Sequence, residues 1–153
     1  MTRDAYLSVE PFPGKEPLFI AAFPSGDYYL NPNSIGDALR NRSPFNILHP
    51  ATGYKLDIDV RKDEPFEREV FSRRVSYSLP DSPNEPVLLL SPEDIVLFKL
   101  RWYRLGNEVS EKQWSDILGV LRTQRDGLDN LYLDKWAAAI GIKDLLDRIT
   151  AEV

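Results

Sequence analysis

The chain has 153 residues, 42% of them hydrophobic, and a formal net charge of −5: enough for one cored domain, with no general attraction for nucleic acid or anionic lipid. With no cysteine and one histidine, His49, it excludes a disulfide framework, a Cys-based zinc site and a His-rich metal cage, so any metal must rest on carboxylates. No stretch approaches the ~20 apolar residues of a membrane span and no basic leader opens the chain, which points to a cytoplasmic protein without a membrane partner.

Asp4–Glu10 alternates, with Asp4, Tyr6, Ser8 and Glu10 on one face and Ala5, Leu7 and Val9 on the other, the pattern of a half-buried strand. Residues 15–23 suggest a helix, 28–30 a short strand and 34–40 a short helix. Phe45–Leu48 and Lys55–Val60 are apolar runs separated by a Pro- and Gly-containing segment, which predicts a hairpin closing near Ala51–Gly53. On the second of these strands Leu56, Ile58 and Val60 face the core, while Lys55, Asp57 and Asp59 share the opposite face. Same-face neighbours lie ~7 Å apart along a strand, close enough for two carboxylates to help hold a cation. An ordinary charged, solvated sheet face fits the same pattern. Prolines punctuate the first ninety residues and thin out afterwards, and Pro80–Pro86 reads as a hinge between an α/β part, 1–90, and a helical part, 91–153, of one compact unit.

The helical part is the clearer one. Ser91-Pro-Glu-Asp94 combines an N-cap serine, proline at the first helical position and acids in the first turn, predicting a helix to Leu105 that stops at Gly106. Glu93, Asp94, Arg101 and Arg104 fall on its charged side, and Ile95, Val96, Phe98, Leu100, Trp102 and Tyr103 on its apolar side. Lys99 lies within that apolar arc, where it must snorkel, pair with an acid or point into a pocket. Ser110-Glu-Lys-Gln113 fits a capping box for a helix with a Trp114, Ile117, Leu118, Leu121 stripe, and Asp116 lies opposite that stripe. Asn130–Ile140, closed by Gly141, and Lys143–Ala151 read as further helices, with Leu131, Leu133, Trp136, Ala137, Leu145, Leu146 and Ile149 packing inward.

Taken in order, Phe45-Asn-Ile-Leu-His49, Gly53-Tyr-Lys-Leu-Asp57, Asp63-Glu-Pro-Phe66, Ser91-Pro-Glu-Asp-Ile-Val-Leu-Phe-Lys-Leu100 and Gln113-Trp-Ser-Asp-Ile-Leu118 resemble bacterial nucleotidyltransferase-like proteins related to those of abortive-infection and toxin–antitoxin systems. The likeness extends through Leu128–Leu146 and so spans nearly the whole chain. It implies an α+β fold, a mixed sheet with flanking helices followed by a C-terminal helical region. It also implies nucleotidyl transfer from a nucleoside triphosphate with magnesium as cofactor.

In that family a Gly-Ser turn meets the triphosphate, and three strand carboxylates hold metal ions that neutralise phosphate charge. By this resemblance Asp4 matches the first carboxylate and Asp57 the third, Asp59 is a further candidate ligand, Lys99 would contact phosphate and Asp116 matches the acid of the following helix. Tyr6 stands at the second carboxylate position, and no Gly-Ser precedes Asp4. A free phenol has a pKa near ~10 and does not bridge metals as a carboxylate does. The expectation is therefore a degenerate or weakly active nucleotidyltransferase-fold protein that binds magnesium weakly or not at all. The alternatives are an active magnesium-dependent enzyme, if a longer reading frame supplies Gly-Ser, and a non-catalytic protein-interaction module. A homo-oligomer or a partner protein fits the same reading, and a nucleic-acid acceptor is open but not indicated by charge.

Overall fold

The computed structural model describes residues 4–153. Its elements, in order, are β1 (Asp4–Val9), α1 (Glu16–Ala21), α2 (Pro32–Asn41), β2 (Phe45–His49), β3 (Tyr54–Val60), α3 (Pro65–Ser72), β4 (Val75–Leu79), β5 (Ser82–Leu89), α4 (Pro92–Leu105), α5 (Glu111–Thr123), α6 (Asn130–Ala139) and α7 (Lys143–Thr150). The chain is therefore α+β, with a three-stranded mixed sheet ordered β1-β3-β2 and a separate two-stranded sheet, β4-β5. It divides into two compact units, Met1–Asp63 and Glu64–Val153, each built around its own apolar cluster.

In the first unit β1 runs parallel to β3, and β2 is antiparallel to it. The predicted hairpin forms, turning through Gly53 at φ 71°, a left-handed conformation that a side chain would strain. Asn31 caps α2 by accepting from the Asn33 and Ser34 amides, which sets Ile35, Ala38 and Leu39 against Phe45, Ile47, Ile58 and Val60. Residues 28–30 form no strand of their own. Only an isolated antiparallel bridge, Tyr29 to Leu48, extends the sheet there. The apolar face of β1 is less covered than its alternation suggests: Val9 joins the core, but Ala5 and Leu7 are exposed on an edge strand.

The second unit corrects several expectations. Residues 80–86 are not a hinge: they form the turn and the first part of β5, in a hairpin whose register shifts between Tyr77 and Leu79. α3 went unpredicted, being only eight residues long. Its Phe66, Val70 and Phe71 pack into the cluster built by α4 to α7, so the division of the chain falls ahead of residue 64 rather than at 90. Leu131 is 83% exposed, because the inward stripe of α6 is Tyr132, Leu133, Trp136 and Ala137, and Leu131 shares the outer face with Lys135 and Ala138. The helix starts at Ser91 and Ser110 are as read: each serine oxygen accepts from the amide three residues on, Asp94 and Gln113 respectively. After Gly106, Asn107 and Glu108 both adopt φ near +59°, a costly pair of left-handed residues. The turn is held by the Tyr103 hydroxyl donating to the Glu108 carbonyl at 2.6 Å and by the Glu108 amide donating to the Tyr103 carbonyl at 2.9 Å.

Candidate functional site

The parallel β1–β3 register decides what the sequence-predicted carboxylates can do. Asp4 pairs with Lys55, Tyr6 with Asp57 and Ser8 with Asp59, and residues abreast in a ladder project to the same face. Asp4, Asp57 and Asp59 thus share one face of one sheet, opposite Leu56, Ile58 and Val60, of which Ile58 and Val60 are buried. The three acids are not adjacent across the strands. Asp4 and Asp57 are diagonal neighbours, about 8 Å apart from a strand spacing of about 4.8 Å and a two-residue rise of about 6.6 Å.

Between them stand a phenol and an ammonium. Tyr6 is abreast of Asp57, and Lys55 Nζ lies 2.8 Å from Asp57 Oδ2. Hydrogen bonding to Asp57 raises the Lys55 pKa above the usual lysine value; burial opposes it, and the charges of Asp57 and Asp4 add to it. Along β3 the row reads base, acid, acid: Lys55, Asp57, Asp59. The sequence shows Lys55 as a same-face neighbour two residues before Asp57, and the 2.8 Å approach makes it the partner of that carboxylate.

Lys99 and Asp116 come together, but with each other. Lys99 Nζ on α4 is 3.3 Å from Asp116 Oδ2 on α5, with the side chains 28% and 47% exposed. Of the three fates open to a lysine on the apolar arc, pairing is the one observed. These two residues lie in the second unit and the three strand carboxylates in the first.

The two acids on the charged side of α4 are not in solvent. Asp94 is fully buried and Glu93 is 5% exposed. The Tyr132 hydroxyl donates to Asp94 Oδ1 at 2.7 Å and the Ser91 hydroxyl to Asp94 Oδ2 at 2.9 Å. Burial pushes the Asp94 carboxyl above the ordinary range, and these two hydrogen bonds offset it only in part. Burial acts on Glu93 in the same direction, but the Asp129 amide at 2.9 Å, its own amide, Ser91 and the charge of Arg73 outweigh it, and Glu93 is held below the usual value. The Arg73 guanidinium sits 3.6 Å from Glu93 Oε2 and 3.5 Å from the centroid of the Tyr132 ring. The Tyr132 hydroxyl is pushed well above the ordinary phenol value by burial and by its bond to Asp94. Arg101, on the same charged side, is 2.9 Å from Glu64 and 3.4 Å from the buried Glu67. The partner Tyr132 is separated from Asp94 by 38 positions, so the sequence carried no local signal for this burial.

A concave space of the first unit reaches the Asp4–Lys55 end of the carboxylate row. A cavity of about 370 Å³ opens at the end of the sheet where β1 and β3 begin, floored by Ala5, Ile47 and Leu56, walled by Tyr28, His49 and Tyr54, and lined also by Asp4 and Lys55. Its apolar floor is the helix side of the sheet, and Asp57 and Asp59 are not among its lining residues. Among the described residues, no group of three or more His, Cys, Asp or Glu side chains converges as metal donors. No described helix is long and apolar enough to cross a membrane. Comparison of the chain with models of known families, with curated proteins and with solved structures finds no match.

Proposed function

We propose that the chain is a nucleotidyltransferase-fold protein with weak or absent nucleotidyl transfer, acting as a pseudoenzyme or interaction module. The observation that supports this reading most is the β1–β3 ladder: Asp4, Asp57 and Asp59 share a face, but Tyr6 flanks Asp57 and Lys55 pairs with it. A magnesium ion held there would have to displace an ammonium from Asp57 and accept a phenol as a neighbour, since Tyr6 stands where the resemblance expects an acid. The residues present do not fit a two-metal centre. Lys55 instead supplies one positive charge to the row, enough to balance Asp57 without creating a site for a triphosphate.

The test is thermal unfolding with ATP, GTP, CTP or UTP and magnesium, on the wild type and Asp57→Asn. A ligand at ~100 times its dissociation constant would stabilise by ~2.7 kcal/mol, a readily measured shift. The expected result is little or no shift for any of the four nucleotides. A strong shift abolished by Asp57→Asn, together with label transfer from an α-labelled nucleotide, would establish the active enzyme instead.

A further inference from the structure

We propose that the outer edge of β4 is a self-association site, pairing antiparallel with β4 of a second copy of this chain across a two-fold axis. The hairpin β4–β5 is a two-stranded sheet, so each strand has one edge without a strand neighbour. Such a hairpin is marginal alone, and three or more strands with an apolar face make a stable unit. From the register, Val75, Tyr77, Val87 and Leu89 lie on one face. Val75 is 61%, Tyr77 50% and Leu89 46% exposed, and every residue of β4 is exposed.

The two edges are not equivalent. β5 carries Pro83 and Pro86, each lacking an amide donor, the charge of Glu85, and the extra residues of the register shift. Prolines, charges and bulges are the devices that protect a sheet edge from pairing. β4 reads Val75-Ser-Tyr-Ser-Leu79 and has none of them. Its pattern is also symmetric about Tyr77, as a strand pairing with itself requires. In the antiparallel register centred there, Val75 faces Leu79 of the second copy and Ser76 faces Ser78, so the apolar row continues unbroken across four strands.

Charge selects the same arrangement. Arg74 precedes β4 and Asp81 follows it, so antiparallel pairing brings the basic end of one strand to the acidic end of the other, twice by symmetry, whereas Arg73 is already engaged by Glu93 and the Tyr132 ring. Parallel pairing would set like charges side by side. Edge pairing covers the strand edge and the flanks of its side chains rather than the apolar face, which puts the contact at the small, concentration-dependent end of protein interfaces.

Sedimentation of the full chain from about 1 to about 300 µM, a span suited to an interface of that size, should show its mass rising from one copy to two. Tyr77→Lys and Ser78→Pro should each remain monomeric with an unchanged circular dichroism spectrum. The chain has no cysteine, so cross-linking reads the register directly: a mixture of Ser76→Cys and Ser78→Cys should form disulfide dimers faster than either alone, and Asn84→Cys on β5 should not. This arm decides the matter if a β4 variant fails to fold. A chain monomeric throughout the range, dimers undiminished in both β4 variants, or Asn84→Cys cross-linking as fast as the mixed pair would overturn the proposal.

Discussion

Tyr6 stands abreast of Asp57 in the parallel β1–β3 ladder, and the ammonium of Lys55 occupies the other side of that carboxylate. A tyrosine at this position does more than omit an acid. Two carboxylates abreast, about 4.8 Å apart, repel one another unless a cation sits between them. With a phenol there, Asp57 needs one positive charge, and the lysine two residues earlier on the same face supplies it. Asp57 is thus paired without a metal ion, which gives the degenerate reading its physical sense.

Restoring the charge pattern should therefore restore cation binding. The double variant Tyr6→Asp, Lys55→Ala sets an acid abreast of Asp57 and removes the competing ammonium. By calorimetry it should bind Mn²⁺ at least about tenfold more tightly than the wild type, a difference of about 1.4 kcal/mol. A wild-type affinity equal to that of the double variant would show that neither Tyr6 nor Lys55 limits the site.

The Lys99–Asp116 pair invites a double-mutant cycle. Both side chains are partly in solvent, and exposed ion pairs are worth ~0–1 kcal/mol. Lys99→Met, Asp116→Asn and the double variant should each unfold within about 1 kcal/mol of the wild type in urea, with a coupling of a few tenths. A loss of several kcal/mol on Lys99→Met would mean that the pair is effectively buried.

What the sequence made legible follows from the range of the interactions involved. The α4 and α5 starts are local, since a serine three residues ahead of an amide defines a cap whatever surrounds it, and both were readable. So was the shared face of Asp4, Asp57 and Asp59, because a period of two fixes faces without knowledge of the partner strand. The pairing of Tyr6 with Asp57 needed the register, a long-range property. Periodicity places Glu93, Asp94 and Arg101 on the charged side of α4 and says nothing of what covers that side. Their burial depends on Tyr132, Asp129, Arg73 and Glu67, which arrive from other elements. The β4–β5 hairpin was hidden by its prolines, which read as a break and in fact mark a guarded edge.

Arg101 bridges two acids of unequal exposure, Glu64 and the buried Glu67. Replacing it by Leu removes the guanidinium from beside a carboxylate that water hardly reaches, so the variant should lose about 3 kcal/mol in urea unfolding. Adding Glu67→Gln should recover part of that loss, because a neutral amide is less costly to leave there. If Arg101→Leu alone costs under 1 kcal/mol, the bridge to Glu67 is not what stabilises this end of α3.

The pH dependence of stability separates Asp94 from its neighbour. A carboxyl whose folded pKa is raised binds its proton more readily in the folded state. The stability it contributes is fully present below the unfolded value of ~3.9 and is lost as pH rises through the folded value. Glu93, held low, contributes in the opposite sense: its share is present above the unfolded value of ~4.3 and is lost as pH falls through the folded one. The two partly cancel in the whole protein, so the comparison must be with Asp94→Asn, which keeps an acceptor for the Tyr132 hydroxyl and cannot ionise. Measured by urea unfolding at steps from pH 7 to pH 4, the stability of the wild type relative to Asp94→Asn should rise as pH falls. Tyr132→Phe, which strips a donor from the buried carboxylate, should cost about 1–3 kcal/mol at neutral pH and less in acid, where the protonated carboxyl no longer needs that donor as much. A relative stability that stays flat, or that falls toward acid, would show that Asp94 is solvated in solution and that the Tyr132 bond does not bury it.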